Sequence, residues 1–141
     1  MTENTLQSFA PLHFLVVDDD PMVTEILSAY YESIGFSVET AGTGQAALRA
    51  MEARLPDVVI CDRMMPGVSG VQLLEEIRDR GESWQAMVFV FLTSLTDSRD
   101  RHAMLPLRPD GYLHKPIDFS DADKILKDIL TKRKSQPQAT D

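Results

Sequence analysis

One cysteine, Cys61, stands in the 141 residues, with no Cys or His at ligand spacing around it; this rules out an internal disulfide framework and leaves a zinc site without ligands. A reducing compartment fits. No apolar run approaches the roughly 18 residues that span a bilayer, and the polar start MTENTLQS lacks the charged-then-apolar pattern of a secretory leader. Cations are scarce too: 14 Lys and Arg against 22 Asp and Glu leave a formal net charge of −8. Nucleic-acid affinity rests on clustered cations that release counterions, so direct nucleic-acid binding is not expected. Nor is a membrane partner.

What is present is ordinary globular composition, 43% hydrophobic and 26% charged, in a length suited to one domain with its own core. The expectation is a cytoplasmic protein. Residues 1–12 read as an N-terminal tail, 13–134 as the folded domain, and the polar 135–141 as a tail or the start of a linker.

Short apolar runs alternate with amphipathic segments five times. Strands are expected at residues 14–17, 36–41, 58–61, 87–92 and 112–114. After the first, Asp20 can cap and Pro21 can open a helix with an apolar face of Val23, Ile26, Leu27, Tyr30 and Ile34, closed by Gly35. The second helix runs through Ala46, Leu48 and Met51 to Pro56, and the third carries Val71, Leu74 and Ile77 to Gly81. A fourth is expected from about Asp97 to Pro106. The last opens at a Ser120-x-x-Asp123 capping signal, buries Ala122, Ile125, Leu126 and Ile129, and closes on Lys132, Arg133 and Lys134, which complement its dipole.

Repeated βα units with right-handed crossovers make an α/β doubly wound parallel sheet. The second strand alternates apolar and polar residues like an edge, while the third and fourth are continuously apolar and therefore central, so the order is 2-1-3-4-5. Function in such sheets gathers beyond the carboxyl ends of the strands. There lie Asp18, Asp19 and Asp20, then Asp62, Thr93 with Ser94, and Lys115 with Pro116. Neighbouring carboxylates repel unless a cation sits among them, which implies a hard divalent ion, best matched by Mg²⁺. Lys115 suits an anion as a point charge, and the Thr93 hydroxyl can donate to the same anion. On this reading Asp18 and Asp19 hold the metal and Asp20 caps the helix.

VVDDDP at 16–21, CDRMMPGVSG at 61–70, FLTS at 91–94 and GYLHKP at 111–116, in order and each at a strand end, resemble the receiver domains of two-component response regulators. The resemblance runs from Leu15 to about Thr131. It implies a CheY-like, flavodoxin-like sheet in which Asp62 is the phosphoacceptor, taking a phosphoryl group from a sensor histidine kinase or a phosphotransfer protein. It further implies Mg²⁺ on Asp19, Asp62 and the Met64 backbone carbonyl, with Asp18 helping through water. Thr93 and Lys115 would hold the phosphoryl oxygens beside a cis Lys115–Pro116 bond, and Tyr112 would be the aromatic switch. The surface of the fourth helix, fifth strand and last helix would then signal to a downstream protein or to a fused output domain outside this chain. Such a domain is a signalling phosphoacceptor rather than an enzyme with its own substrate.

Two departures mark this chain. Ser94 stands where the family usually has alanine, and Pro106 and Pro109 interrupt the approach to the fifth strand, so a short or irregular fourth helix is expected. Other readings remain open. Residues Gly42 to Ala47 fit G-x-G-x-x-A with Asp62 about 20 residues on, as in a nucleotide- or flavin-binding domain. Against it stand the edge character of the preceding strand and the absence of a role for Thr93 and Lys115. An aspartate-nucleophile phosphatase would want D-x-D, yet Asp62 is followed by Arg63 and Met64. A receiver that binds partners without being phosphorylated is the other alternative. Cys61, Met64 and Met65 read as packing residues, and His13, His102 and His114 share no ligand spacing.

Met64 and Leu95, two positions beyond Asp62 and Thr93, are apolar and cannot orient an attacking water, so a phosphoryl group on Asp62 is expected to be long-lived. Met64→Asn or Leu95→Glu should speed its loss in a timed decay of the phosphorylated protein. Unchanged decay in both variants would remove these positions from the hydrolysis step.

Overall fold

The computed structural model describes residues 6–9, 11–63, 67, 69–94 and 109–135. Five parallel strands, β1 (His13–Val17), β2 (Ser37–Ala41), β3 (Val58–Asp62), β4 (Val88–Thr93) and β5 (Gly111–His114), form one sheet in the order β2-β1-β3-β4-β5. That order is the one expected. Phe14, Leu15, Val16 and Val17 pair with Val58, Val59, Ile60 and Cys61, and Asp62 pairs with Leu92. β1, β3 and β4 are buried throughout, whereas β2 exposes most of its side chains, as an edge strand must.

Because strand side chains alternate between faces, the sheet builds two cores. Leu15, Val17, Val59, Cys61, Phe89 and Phe91 face α2 (Gly44–Ala53) and α3 (Gly70–Arg78), meeting Met51, Leu73, Leu74 and Ile77. Phe14, Val16, Val58, Ile60, Val90 and Leu92 face α1 (Pro21–Ser33) and a last helix, meeting Leu27, Tyr31, Ala122 and Leu126. A short α4 (Glu82–Gln85) and this last helix, α5 (Phe119–Ser135), complete the regular structure, and Gly81 precedes α4 at φ +107°. No helix among the described residues is long and apolar enough to cross a membrane. The expected fourth helix, residues 97–106, lies outside the described residues.

The amino ends of the strands are held by aspartates. Asp57 accepts the His13 N–H at 2.8 Å and donates its own N–H to the His13 carbonyl at 2.7 Å. Asp110 does the same to Phe89, with both bonds at 2.7 Å. Within the segment 1–12, Leu6–Phe9 form a 3-10 turn whose Leu6 is buried in the α1/α5 core; burying such a side chain is worth ~1.5–3 kcal/mol.

Three local expectations need correcting. Ile26, expected on the buried face of α1, is 51% exposed, and Tyr31 takes the inward position instead, stacked on Phe14 with ring centroids 4.5 Å apart. The buried stripe follows the large ring that fills the space between sheet and helix. Neither Ser120 nor Asp123 caps α5, because both lie inside it. Asp118 does, its carbonyl accepting from Ala122 at 2.9 Å and its carboxylate from the Asp121 N–H at 3.2 Å, because it immediately precedes the first helical residue. Arg133 is more than a dipole partner: its guanidinium donates to the carbonyls of Ala86 and Met87 and to the Asp110 carboxylate at 2.8 Å. Lys132 pairs with Asp128 one turn back at 3.4 Å.

Asp123 instead accepts from two hydroxyls on α1, those of Tyr30 and, at 3.1 Å, Tyr31. Tyr30 also stacks on Phe119, with centroids 3.9 Å apart, so the first turn of α5 is clasped to the last turn of α1. Burial, the hydrogen bond and the carboxylate's charge push the Tyr30 hydroxyl from 10.0 up to about 12, and burial followed by Asp123 pushes Tyr31 further up. Protons held more tightly in the folded chain contribute stability that is whole below the unfolded pKa and is lost as pH rises toward the folded one. Stability should therefore fall from about pH 10 upward, as the unfolded tyrosines ionise and the folded ones do not. In urea midpoints taken at rising pH, Tyr30→Phe or Tyr31→Phe should fall less steeply than wild type over that range. Equal slopes would remove the clasp from the alkaline balance.

Candidate functional site

Parallel strands in register deliver their carboxyl ends to one edge of the sheet. Val17 pairs with Cys61, so Asp18 follows one strand where Asp62 ends the next; Thr93 ends β4 opposite His114, and Lys115 follows β5. Main-chain bonds fix these ends. Asp18 N–H donates to the Ala41 carbonyl at 3.1 Å, Arg63 N–H to Leu92 at 3.2 Å, and Lys115 N–H to Thr93 at 2.9 Å. The Lys115–Pro116 peptide bond is cis, as expected.

Asp18, Asp19 and Asp62 each offer a carboxylate oxygen within 4.8 Å of the others. Asp18 and Asp62 are buried and Asp19 is exposed, so the cluster opens to solvent on one side. Asp18 divides its oxygens: Oδ1 accepts the Asp20 N–H at 2.9 Å, and Oδ2 faces the Lys115 ammonium at 3.2 Å. The same ammonium lies 3.8 Å from Asp62 Oδ2. Asp20 turns away and caps α1, its carboxylate accepting the Met22 N–H at 3.0 Å, with Pro21 in the first turn.

Three carboxylates converge beside one ammonium. Hard oxygen donors so grouped suit a hard divalent cation such as Mg²⁺, which takes one or two carboxylates and keeps waters. The donor set therefore fits the metal inferred from the sequence. Thr93 is buried beside this edge, 5% exposed, with its chain held by Lys115. Tyr112 is half-buried on β5, stacked with Phe91 at 6.3 Å between centroids. Met64 and Leu95 lie outside the described residues.

The cysteine is a packing group. Burial, then the charges of Asp62 and Asp18, push the Cys61 thiol well up, and its Sγ–H donates to the Asp62 carbonyl at 3.3 Å. The glycine-rich turn at Gly42 offers little to a phosphate: Thr43 Oγ1 already accepts the Ala46 N–H at 3.0 Å, and the preceding β2 is the edge strand. Sequence reasoning gave no role to Gly70, which nonetheless packs against the Asp62 backbone; its place directly after a capping Ser69 was the available signal.

The family model for the response regulator receiver domain matches residues 14–127. The chain is 33% identical over 130 residues to the response regulator Rre1 of Synechocystis, covering 92% of this chain and 56% of that protein. It is 31% identical over 125 residues to the phosphate regulon transcriptional regulatory protein PhoB of Rhizobium meliloti, covering 89% of this chain and 55% of that one. Among solved structures, the chemotaxis protein CheY4 of Vibrio cholerae superposes with a TM-score of 0.75 at 25% identity, covering 87% of this chain and 98% of that one. The chain spans about half the length of the curated relatives it matches.

A metal held by this cluster must stabilise the folded state by mass action, by ~1.4 kcal/mol at about ten times its dissociation constant. Mg²⁺ should therefore raise the melting temperature by about 4 °C at that concentration. Asp19→Asn, at the exposed member, should abolish the Mg²⁺ increment without lowering the metal-free melting temperature, since it also removes a repelling charge. An increment that survives this substitution would move the metal elsewhere.

Proposed function

The chain belongs to the response regulator receiver domain family, and from that premise we propose that Asp62 accepts a phosphoryl group from the phosphohistidine of a sensor histidine kinase or phosphotransfer protein, in a Mg²⁺-dependent reaction. The observation that carries the reading is the Lys115 ammonium, 3.2 Å from Asp18 and 3.8 Å from Asp62, at the mouth of a three-carboxylate cluster. A carboxylate oxygen of Asp62 attacks phosphorus in line. The P–N bond of the donor breaks, its electron pair returns to the imidazole, and an acyl phosphate remains on Asp62.

The chain supplies positioning and charge rather than covalent help. Lys115 can follow the new phosphoryl oxygens, exchanging contacts with Asp18 and Asp62 for one with a group of about −2 charge. Thr93 donates its hydroxyl to another of those oxygens. Asp19 and Asp62, with the Met64 carbonyl that the family resemblance implies, would hold the metal, and Asp18 would support it through water. When bound, Mg²⁺ neutralises charge on the transferred group and on the carboxylates around it.

Tyr112, adjacent to β4 through its pairing with Phe91, responds in this reading as Thr93 closes on the phosphoryl group. The surface at β5 and α5 then changes for a downstream partner. PhoB is named as a transcriptional regulatory protein, and a fused output domain beyond this receiver unit of 13–134 is one form that partner takes. The net charge of −8 assigns contact with nucleic acid to such a partner rather than to this chain. No membrane contact belongs to the reading, which places the protein in the cytoplasm.

Intact-protein mass after incubation with a small phosphodonor tests the assignment. A single phosphoryl adduct is expected that requires Mg²⁺ and is lost in Asp62→Asn. An adduct that persists in that variant would reassign the acceptor, and no adduct in wild type would leave a receiver that binds partners without being phosphorylated.

A further inference from the structure

Asp62 can serve as an acceptor only if its main chain is held in place, and three contacts hold it. Arg63 N–H donates to Leu92 on β4, the Cys61 thiol donates to the Asp62 carbonyl, and the first residue of α3, Gly70, packs against that same carbonyl. The third leaves no room for a side chain. A Cβ at Gly70 would lie 2.5 Å from the Asp62 carbonyl oxygen and 3.0 Å from both Arg63 Cα and Phe91 Cε1. Gly70 also donates its N–H to the Arg63 carbonyl at 3.1 Å, which joins the start of α3 to the residue after Asp62.

This glycine is not required by its own backbone. Its φ lies outside the left-handed region, since no positive φ is found there, and it opens a helix, where alanine is the better former. Ser69 caps the helix with its hydroxyl on the Gln72 N–H at 3.2 Å, and Gln72 returns the bond at 2.9 Å, so the turn is secured without residue 70. What a side chain would disturb is the backbone of Asp62.

We propose that Gly70 is a positioning residue for Asp62: by lacking a side chain it lets the amino end of α3 seat against the Asp62 carbonyl and so fixes the carboxylate relative to Asp18, Asp19 and Lys115. The inference rests on the reading of Asp62 as phosphoacceptor and adds a residue that touches neither donor nor metal. Two of the three atoms a Cβ would meet belong to main chain that cannot swing aside. The third belongs to the Phe91 ring, which can be shortened, and this separates a displaced site from a crowded core.

The test compares wild type, Gly70→Ala, Phe91→Leu, Gly70→Ala with Phe91→Leu, and Ser69→Ala. Each is measured for metal-free melting temperature, for the Mg²⁺ concentration giving half of the melting increment, and for phosphoryl uptake from a small phosphodonor per folded chain. Gly70→Ala should slow uptake by about 100-fold and weaken Mg²⁺, the size of loss that follows about 1 Å of misplacement. The double variant should stay as slow relative to Phe91→Leu. Ser69→Ala should melt lower yet keep wild-type uptake, because loosening the cap adds no atom beside Asp62.

Uptake by Gly70→Ala within about twofold of wild type would overturn the proposal. So would recovery in the double variant, which would place the clash in the ring packing. Failure of both Gly70→Ala chains to fold would equally overturn it, making residue 70 a requirement of the fold. If wild type takes no phosphoryl group at all, the reading of Asp62 as acceptor falls, while the Mg²⁺ comparison still decides whether Gly70 sets the cluster's geometry.

Discussion

Repulsion among three carboxylates at one edge of a sheet is the constraint on which the rest of this molecule depends. Asp18, Asp19 and Asp62 stand within 4.8 Å of one another, and two of them are buried, where charge is costly. The fold meets that cost locally. Asp18 spends one oxygen on the Asp20 N–H and the other on Lys115, whose ammonium also lies within reach of Asp62. Each of these groups sits at the end of a strand or within two residues beyond it, so the strand register sets their spacing and the two cores set the register. A one-residue slip in β3 would turn Asp62 into the sheet's other face and dissolve the cluster.

The acidic composition resolves into distinct tasks once the partners are known. Asp20 and Asp118 cap α1 and α5; Asp57 and Asp110 clamp the starts of neighbouring strands; Asp123 holds two tyrosine hydroxyls. Among the described residues, only the carboxylates at the opposite ends of the strands converge as a group of three. Reading the net charge of −8 as one property of the surface would therefore mislead, because much of it is occupied by main-chain donors.

The topology and the site edge were legible in the sequence for a definite reason. Continuous apolar runs at β3 and β4 and alternation at β2 report how each strand is covered, and that alone orders the sheet. The four chemical strand ends then follow without side-chain detail. Helix faces were less legible. Val23, Ile26, Leu27 and Tyr30 satisfy the helical period as well as the stripe actually buried, and only the fit of the Tyr31 ring against Phe14 turns Ile26 outward. Ser120-x-x-Asp123 matches a capping signal, yet a cap depends on where the chain enters the helix, and the long-range demand of Tyr30 and Tyr31 on Asp123 is invisible to spacing. Arg133 failed for the same reason: its acceptors at Ala86 and Met87 lie 47 and 46 residues away.

These long-range contacts limit how α5 can move relative to the sheet. α5 is anchored at both ends, through Asp123 to Tyr30 and Tyr31 on α1, and through Arg133 to Asp110 and the two carbonyls before β4. Moving α5 as a body would break one anchor and leave a half-buried carboxylate or guanidinium without its partner, a cost of the kind that folded proteins rarely meet without compensation. A change confined to Thr93 and Tyr112 breaks neither. The side chain of Tyr112 lies against Phe91 on the α2/α3 side of the sheet, away from the aromatic cluster of α1 and α5, so it can shift without disturbing the clasp. The fold thus separates the clasped face, α1 with α5, from the strand ends that gather the carboxylates, and it is β4 and β5 that join the two.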